Sequence, residues 1–312
     1  MSKSGQGILV ASSNAAVGFA AGMEILRTGG SAMDAVVATI ALVEANPDDH
    51  SVGYSGLPNL LGEVELDASI MDGRTLAAGS VGALHGHQDA IAVARKVMDE
   101  LPHVLIVGAG ADRFADETGF LATNLLTPES ERVWRERLDQ APLGHDNYME
   151  RVRTLVAALS RDPEMPDEVH GTVNVIARDR AGTIVCGVST SGWAWKYPGR
   201  LGDSPIIGAG NYADNPYGAA ACTGRGEMAE RLCTAHTVVT AMRFGRSLDD
   251  ALTLAANDLI ALEDAYRSEV NIVAMDRDGR PGAVTTTEGK TFIVQDESMS
   301  EPDERPRRYI PE

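Results

Sequence analysis

The sequence predicts an α+β protein in which β-sheets are covered by helices, and three observations support this fold class. Residues 173–188 and 272–286 read as antiparallel hairpins, because each pairs two apolar runs across a turn of Asp and Gly residues. Between the hairpins, 228–242 and 247–265 carry apolar side chains at helical spacing. A block of alternating strand and helix patterns precedes both hairpins. Strands followed by helices in each half indicate sheets packed under helices.

The chain begins with a short strand and two helices. Residues 8–11 form an apolar run, and an Ala- and Gly-rich helical pattern follows from about 15 to 27. Ser31 stands three positions before Asp34, which is the pattern of a helix N-cap. We therefore predict a second helix that ends before Pro47.

The next elements lead to a segment of different character. Residues 63–66 and 69–71 read as strands, 90–100 as a helix and 104–107 as a buried strand. From 127 to 168 charged and turn residues dominate, and we predict a mobile connector there. Four prolines interrupt any long element in it: Pro128, Pro142, Pro163 and Pro166.

The composition argues against several classes of function. A net charge of −18 disfavours nucleic acid and anionic membranes as partners, because a protein surface that binds phosphate groups needs clustered Lys and Arg. The apolar run 8–10 is too short for the core of a signal peptide, and no stretch has the length to cross a bilayer. The cysteines read as reduced thiols used as small apolar residues, so we expect a cytoplasmic protein: Cys186, Cys222 and Cys233.

Thr172 opens the first predicted hairpin and is a candidate nucleophile. A threonine hydroxyl attacks poorly by itself, because nothing takes its proton at neutral pH. If a cut made Thr172 the first residue of a chain, its new α-amine, with a pKa near ~8, could act as the base. The ordinary alternative is a strand threonine, since β-branched residues suit strands. The surrounding motifs favour the nucleophile.

Three further motifs carry polar groups that suit an amino-acid substrate. Arg200 and Asp203 could hold a carboxylate and an amine, although a surface ion pair is the simpler interpretation. Thr223 and Gly224 offer a hydroxyl and a backbone N–H at a tight bend, which by itself is only a turn. Thr190 ends a predicted strand. Each signal is weak alone.

In this order the motifs resemble the nucleophile half of one known family, at 170–175, 190–192, 199–205, 208–210 and 221–226. The family is that of glycosylasparaginases, isoaspartyl peptidases and plant-type asparaginases, which are N-terminal-nucleophile hydrolases. Similar stretches upstream extend the likeness over most of the chain, at 29–36, 51–53, 66–73 and 94–97. The resemblance implies a four-layer αββα sandwich, with two central and mostly antiparallel sheets between layers of helices.

The resemblance also implies how the chain is processed. A single domain would cut itself at Gly171–Thr172 into fragments 1–171 and 172–312, with no metal or organic cofactor. In this family two processed protomers usually pair, so we expect a homodimer. The functional residues of the family fall on the nucleophile Thr172, the supporting hydroxyl of Thr190, the substrate-holding Arg200 and Asp203, and the oxyanion donors Thr223 and Gly224.

The implied reaction is hydrolysis of the side-chain amide of an asparagine derivative, which releases aspartate. The whole chain resembles the glycosylasparaginase branch, but Gly171 precedes the nucleophile as in isoaspartyl peptidases. Asn174 replaces a glycine, Leu57 stands where a serine faces the substrate, and 11–15 lacks a sugar-contacting tryptophan. GlcNAc-asparagine, β-aspartyl dipeptides and asparagine all remain candidate substrates. A second hypothesis is an uncleaved, non-catalytic binding protein of the same fold.

Other motifs carry weaker signals. Residues 107–113 suggest a dinucleotide loop, but Arg113 stands at its third glycine position. His85 and His87 lack further metal ligands at suitable spacing and read as surface histidines. His170 could assist self-cleavage or merely neighbour the cut. Three aromatic residues either wall the substrate cleft or pack in the core: Trp193, Trp195 and Tyr197.

Overall fold

The computed structural model describes residues 5–140, 148–159 and 171–311. Its strands are β1 Ile8–Ser12, β2 Leu66–Asp72, β3 Ala78–Leu84, β4 Leu105–Val107, β5 Val173–Arg178, β6 Ile184–Thr190, β7 Asn211–Asp214, β8 Gly218–Gly224, β9 Val270–Asp276, β10 Pro281–Thr285, β11 Thr291–Asp296, β12 Asp303–Pro306 and β13 Arg308–Tyr309. Its helices are α1 Ala16–Arg27, α2 Ala32–Glu44, α3 Ala90–Glu100, α4 Ala109–Glu117, α5 Pro128–Gln140, α6 Tyr148–Leu159, α7 Gly226–Leu232, α8 Thr234–Arg243 and α9 Leu248–Ala261. Within the described residues, no helix combines the length and apolar character that a membrane crossing requires.

The strands form two sheets that are mostly antiparallel. The larger sheet has the order β12-β11-β1-β5-β6-β2-β3-β4, and the smaller has the order β13-β10-β9-β8-β7. The pairs β3–β4 and β10–β13 are parallel. Both predicted hairpins form, as the antiparallel pairs β5–β6 and β9–β10. The register of β5 against β6 places Thr190 beside the start of β5, where Thr172 lies.

Three apolar cores stack these elements into four layers. Helices α1 to α4 cover the outer face of the larger sheet through residues such as Phe19, Met23, Ile40, Ile91 and Ala115. Helices α7 to α9 cover the smaller sheet through residues such as Met228, Val239, Leu252 and Leu259. The sheets face each other across a third core that includes Val10, Ile176, Val188, Ala221 and Val273. The predicted fold class, an α+β protein with a four-layer αββα sandwich, is confirmed.

Local sequence signals placed several elements correctly. The Ser31 hydroxyl accepts a hydrogen bond from the Asp34 backbone N–H at 3.1 Å, so the predicted N-cap of α2 is confirmed. Helix α2 ends at Glu44, before Pro47. The strand predicted at 63–66 is wrong for its first three residues, because β2 begins only at Leu66.

The connector predicted between 127 and 168 contains two helices in its described part, α5 and α6, so the expectation that prolines interrupt any long element is wrong there. Pro128 does not interrupt α5 but occupies its first position, where the missing N–H has no helical partner to lose. The indole of Trp134 is buried against the body of the protein and donates to the Asn59 carbonyl at 3.0 Å. The other three prolines lie outside the described residues.

The single helix predicted over 228–242 is two helices. Cys233 joins α7 to α8 in a left-handed conformation with φ of 47°, which no α-helix can contain. Apolar residues continue on both sides of the break, so periodicity alone could not reveal it. Cys233 is exposed, and its interpretation as an apolar residue is wrong, whereas Cys186 and Cys222 are buried.

Strand β4 corrects another prediction. Leu105 and Val107 were expected in a buried strand, but both are exposed. The strand has only three residues and lies at the edge of the larger sheet, beside β3. An apolar run shows that a segment can pack, but it does not show whether a layer covers it.

Candidate active site

Thr172 lies immediately before β5 and forms part of the wall of a cavity of about 380 Å³, which we call the outer cavity. The Thr172 side chain is largely buried, with 7% of its surface exposed. Thr223 and Gly224, at the end of β8 in the other sheet, line the same cavity. Polar side chains supply much of the remaining wall: Ser12, Ser13, Asn14, Asn46, Asp48, Asp49, Ser51, Glu269, Asn271, Lys290, Thr291 and Arg307.

A much smaller cavity of about 10 Å³, the inner cavity, also has Thr172 and Gly224 in its wall. Thr190, Arg200 and Asp203 line it too, so five of the six predicted site residues surround this space. The sixth, Thr223, faces the outer cavity. The structure therefore brings together all six residues that the motifs singled out, at the edge where the two sheets meet.

The Thr190 hydroxyl contacts the peptide unit that precedes Thr172. It donates a hydrogen bond to the Gly171 carbonyl oxygen at 2.8 Å and accepts one from the Gly192 backbone N–H at 2.9 Å. The second bond fixes the hydroxyl so that its proton points to the carbonyl. Donation to a carbonyl oxygen draws electron density from its carbon, which makes that carbon a better target for a nucleophile.

Gly224 must be a glycine for geometric reasons. Its φ is +107°, which side-chain-bearing residues rarely adopt, and an added Cβ would overlap the carbonyl oxygen of Glu269, the residue before β9. The neighbouring Thr223 pairs with Asn271 across β8 and β9. These contacts with neighbouring backbone fix the end of β8 in the walls of both cavities.

Arg200 is paired with a carboxylate that the sequence did not reveal. Its Nε donates a hydrogen bond to Glu227 Oε1 at 3.1 Å, and its Nη2 lies 3.0 Å from Glu227 Oε2, within ion-pair distance. Arg225 Nη1 contacts the same carboxylate at 3.1 Å. Burial acts to raise the pKa of Glu227, but the charge and hydrogen bond of Arg200 together with the charge of Arg225 outweigh it, and the pKa is lowered. No motif indicated this partner, because 27 positions of sequence separate it from Arg200.

Asp203 is buried, with 5% of its surface exposed. Burial raises the pKa of Asp203 to about 7, although the nearby Arg200 charge opposes that change and Glu230 adds to it. At neutral pH the carboxyl group is therefore close to half ionised. A ligand ammonium group in the inner cavity would favour its charged form.

Buried charges beneath the inner cavity hold the loop that carries Arg200. The Gly199 backbone N–H donates to Glu65 Oε1 at 2.8 Å, and the Gly202 N–H donates to Asp67 Oδ2 at 3.4 Å. Lys196 Nζ lies 3.6 Å from Glu65 Oε2. Burial lowers the pKa of Lys196, against the opposing charges of Asp67 and Glu65. These acidic residues anchor the loop to β2, a role that the sequence did not indicate.

The positions that depart from the family pattern have defined neighbours. Asn174 is fully buried, and its Oδ1 accepts from the Ser12 backbone N–H at 3.0 Å, while Ser12 Oγ accepts from the Asn174 N–H at 3.1 Å. The expectation that this side chain fills space beside the nucleophile strand is confirmed. Leu57 lines neither cavity and packs in a cluster with Trp134 and Trp195.

The aromatic and histidine residues that the sequence singled out differ in burial and in whether they line a cavity. Trp193 lines the inner cavity, whereas Trp195 is a buried core residue. Tyr197 is half exposed and lies outside both cavities. His87 is buried, with Nε2 3.4 Å from Asp116 Oδ1, so its interpretation as a surface histidine is wrong. In the described parts of the chain, no group of three His, Cys, Asp or Glu side chains is arranged to hold a metal ion.

The four-layer sandwich is the architecture of N-terminal-nucleophile hydrolases. The sequence profile of the Asparaginase_2 family, described as Asparaginase, matches residues 9–301. The chain belongs to this family, and it is an enzyme of the amidohydrolase class.

Three curated relatives show the range of names within the family. An N(4)-(β-N-acetylglucosaminyl)-L-asparaginase of Elizabethkingia miricola is 38% identical over 279 residues, covering 88% of this chain and 76% of the relative. A plant-type L-asparaginase of Pyrococcus horikoshii is 37% identical over 276 residues, covering 88% and 86%. An isoaspartyl peptidase/L-asparaginase of Rattus norvegicus is 36% identical over 234 residues, covering 75% and 66%.

Proposed function

We propose that this protein is a self-processing amidohydrolase that cuts its own chain at Gly171–Thr172 and then uses Thr172 to hydrolyse the side-chain amide of asparagine derivatives. The observation that carries the proposal is the convergence of five polar or glycine positions on Thr172, which lies just before β5; the five come from β6, β8 and the loop after β6. We propose an N4-(β-N-acetylglucosaminyl)-L-asparaginase-like activity, with isoaspartyl dipeptides and asparagine as alternative substrates.

Self-cleavage uses the peptide bond that Thr190 already contacts. Thr172 Oγ attacks the Gly171 carbonyl carbon, the C–N bond breaks, and an ester joins Gly171 to the threonine hydroxyl. Water then hydrolyses the ester, which leaves a carboxylate on Gly171 and a free amine on Thr172. The hydrogen bond from the Thr190 hydroxyl to the Gly171 oxygen, at 2.8 Å, supports this step by stabilising the negative charge that forms on that oxygen.

The Thr172 hydroxyl then also attacks the substrate. The α-amine, with an ordinary pKa near ~8, takes the proton of Thr172 Oγ as it attacks the amide carbon. The Thr223 hydroxyl and Gly224 N–H stabilise the oxyanion. The α-ammonium then gives its proton to the leaving nitrogen as the C–N bond breaks, and the amine product departs through the outer cavity. A water molecule hydrolyses the remaining β-aspartyl ester and releases aspartate. Arg200 and Asp203 bind the α-carboxylate and α-ammonium of the substrate in the inner cavity.

The leaving group determines which substrate is preferred, because the aspartyl part is common to all three candidates. The outer cavity has about 380 Å³ and a wall of hydroxyl, amide and charged groups, which suits a polar leaving group larger than ammonia. The three relatives differ in their substrate names at nearly equal identity, so similarity does not choose between them.

Asn174 does not argue against an active enzyme. Its amide oxygen is bound to the Ser12 backbone, so this side chain joins β5 to the end of β1. A non-catalytic binding protein of the same fold stays the alternative hypothesis. Assembly as a homodimer and a cytoplasmic location remain predictions.

Processing and hydrolysis can be tested on the purified protein with the Thr172→Ala variant as control. We expect two fragments of 171 and 141 residues on a denaturing gel, and release of aspartate from at least one of GlcNAc-asparagine, a β-aspartyl dipeptide or asparagine. Thr172→Ala should stay a single chain and release no aspartate, because it has neither nucleophile nor base. Aspartate release by that variant at the rate of the unchanged protein would contradict the proposal.

A further inference from the structure

Self-cleavage poses a chemical problem that substrate hydrolysis does not. Until the chain is cut, the nitrogen of Thr172 is part of an amide and cannot take the proton of its own hydroxyl. Gly171, the residue before the cut, has no side chain to do so. Another group must therefore accept the proton in the first reaction. His170 lies outside the described residues, and among the described ones a carboxylate near Thr172 is the natural choice.

Among the described residues, three carboxylates share the outer cavity with Thr172: Asp48, Asp49 and Glu269. Asp48 is exposed to solvent. Glu269 is held by Lys290, whose Nζ lies 3.0 Å from Glu269 Oε2. Asp49 is the buried carboxylate of the three outside that ion pair, with 9% of its surface exposed.

Hydrogen bonds fix the orientation of Asp49 at the cavity wall. Its Oδ1 accepts from the Ser51 backbone N–H at 2.9 Å and from Ser51 Oγ at 2.5 Å. Its Oδ2 accepts from Asn14 Nδ2 at 3.0 Å. The Ser12 hydroxyl donates a hydrogen bond to Asn14 Oδ1, and the Ser12 backbone N–H donates to Asn174 Oδ1 on β5, the strand that follows the nucleophile. The network therefore runs from Asp49 to the strand that follows Thr172.

A second connection runs from Asp49 to the peptide bond that would be cut. The Ser51 carbonyl oxygen lies 3.4 Å from Thr190 Oγ1, and that hydroxyl donates to the Gly171 carbonyl. The Ser51 carbonyl also accepts from the Ser191 N–H at 2.7 Å. The loop that presents Asp49 is thus attached to the end of β6, which also positions the Gly171 carbonyl.

We infer that Asp49 is the proton acceptor for self-cleavage, a role that rests on the proposed function. The Thr172 Oγ–H proton passes to the Asp49 carboxylate as Oγ bonds to the Gly171 carbonyl carbon. The C–N bond then breaks, and the Thr172 nitrogen takes a proton from the carboxylic acid. The carboxylate is thereby restored, and its work ends when the α-amine is free.

The test follows self-cleavage in protein made by cell-free translation, so that the uncut chain can be observed from synthesis onward. Asp49→Asn should cut at least about 100-fold more slowly than the unchanged chain, because general base catalysis contributes that much or more. Asp48→Asn and Glu269→Gln are matched controls on the same cavity, and both should cut within a few-fold of the unchanged rate. An unchanged chain that is never cut would overturn the proposed function itself.

Chemical rescue separates proton transfer from support of the fold. Added formate should restore cleavage to Asp49→Ala, and Asp49→Glu should retain a measurable rate, because each supplies a carboxylate. Cleavage of Asp49→Asn at the unchanged rate would overturn the inference. So would slow cleavage that neither formate nor the Glu variant improves, since that result assigns Asp49 a structural role only.

Discussion

The two cavities that meet at Thr172 differ in size and in how their charges are used. The outer cavity has about 380 Å³, and loops after β1 and α2 supply part of its polar wall. The inner cavity has about 10 Å³, and its main cation, Arg200, is already paired with Glu227. A ligand can enter the first without rearrangement, whereas the second must open and exchange a partner.

The two cavities would therefore recognise different parts of the substrate. The constant aspartyl part of the substrate would bind in the inner cavity, where its carboxylate replaces Glu227 on Arg200. The variable leaving group would occupy the outer cavity, where free space and polar groups already exist. Changes on the inner side should therefore affect all substrates equally, and changes on the outer side should alter their ranking.

The largest effect is expected from Arg200→Gln, which removes the cation of the inner cavity. Loss of a buried charged partner costs roughly 2–5 kcal/mol, so kcat/KM should fall by about 10³-fold. The fall should be equal for GlcNAc-asparagine, a β-aspartyl dipeptide and asparagine, as steady-state kinetics on the processed enzyme would show. Arg225→Gln is the matched control, because it contacts the same Glu227 but does not line the inner cavity. A fall in kcat/KM for one substrate alone would contradict the proposal that the inner cavity binds the part common to all three substrates.

A smaller effect is expected from Thr223→Val, which removes a hydroxyl and keeps the shape of the side chain. Loss of one oxyanion donor typically lowers kcat by roughly 10²–10³-fold, with little change in KM. Thr223→Ser keeps the hydroxyl and should retain most of the activity. An unchanged kcat in Thr223→Val, measured under saturating substrate, would remove Thr223 from the proposed oxyanion site.

The smallest effect on activity is expected from replacing a buried acid that lines neither cavity. Burial raises the pKa of Glu44 to about 8, against hydrogen bonds from Ser189 Oγ at 2.6 Å and the Ile91 N–H at 2.8 Å. The folded protein therefore keeps a proton that the unfolded chain loses near pH 4.5. The stability that this proton provides is fully present below pH 4.5 and is lost as the pH rises toward about 8.

Replacement of Glu44 by Gln should flatten this dependence on pH. Between pH 5 and 8 the Glu44 contribution to the free energy of unfolding falls by about 1.4 kcal/mol per pH unit, and Gln has no proton to lose. Denaturant unfolding at several pH values would measure the two slopes, and Asp203 contributes equally to both proteins. Equal slopes would show that Glu44 does not titrate as its burial implies. We expect kcat to change less than twofold.

The sequence predicted local features better than long-range pairing. The N-cap at Ser31 and the Asp/Gly turns depend on neighbouring residues, and all three formed. The break at Cys233 was missed because apolar spacing continues through it. Glu44 ends an apolar helix and was not singled out by the sequence, and the packing of α3 and β6 against it creates a buried acid.

The candidate site divides in a similar way. Its six residues belong to short motifs whose types indicate chemistry, and the fold brings them together. Glu227 and Asp49 carry no such motif. Glu227 lies on α7 and meets Arg200 only through the packing of the loop after β6, and Asp49 reaches the outer cavity through the packing of the loop after α2. Local sequence patterns do not predict either of these long-range contacts.

Peptide mapping by mass spectrometry of enzyme quenched in acid during turnover tests the central claim most directly. The account predicts a fragment whose first residue is Thr172, with a fraction of that fragment carrying one aspartyl group as an ester on the threonine hydroxyl. An aspartyl adduct on any other residue, or turnover by a chain that remains joined at Gly171–Thr172, would contradict it.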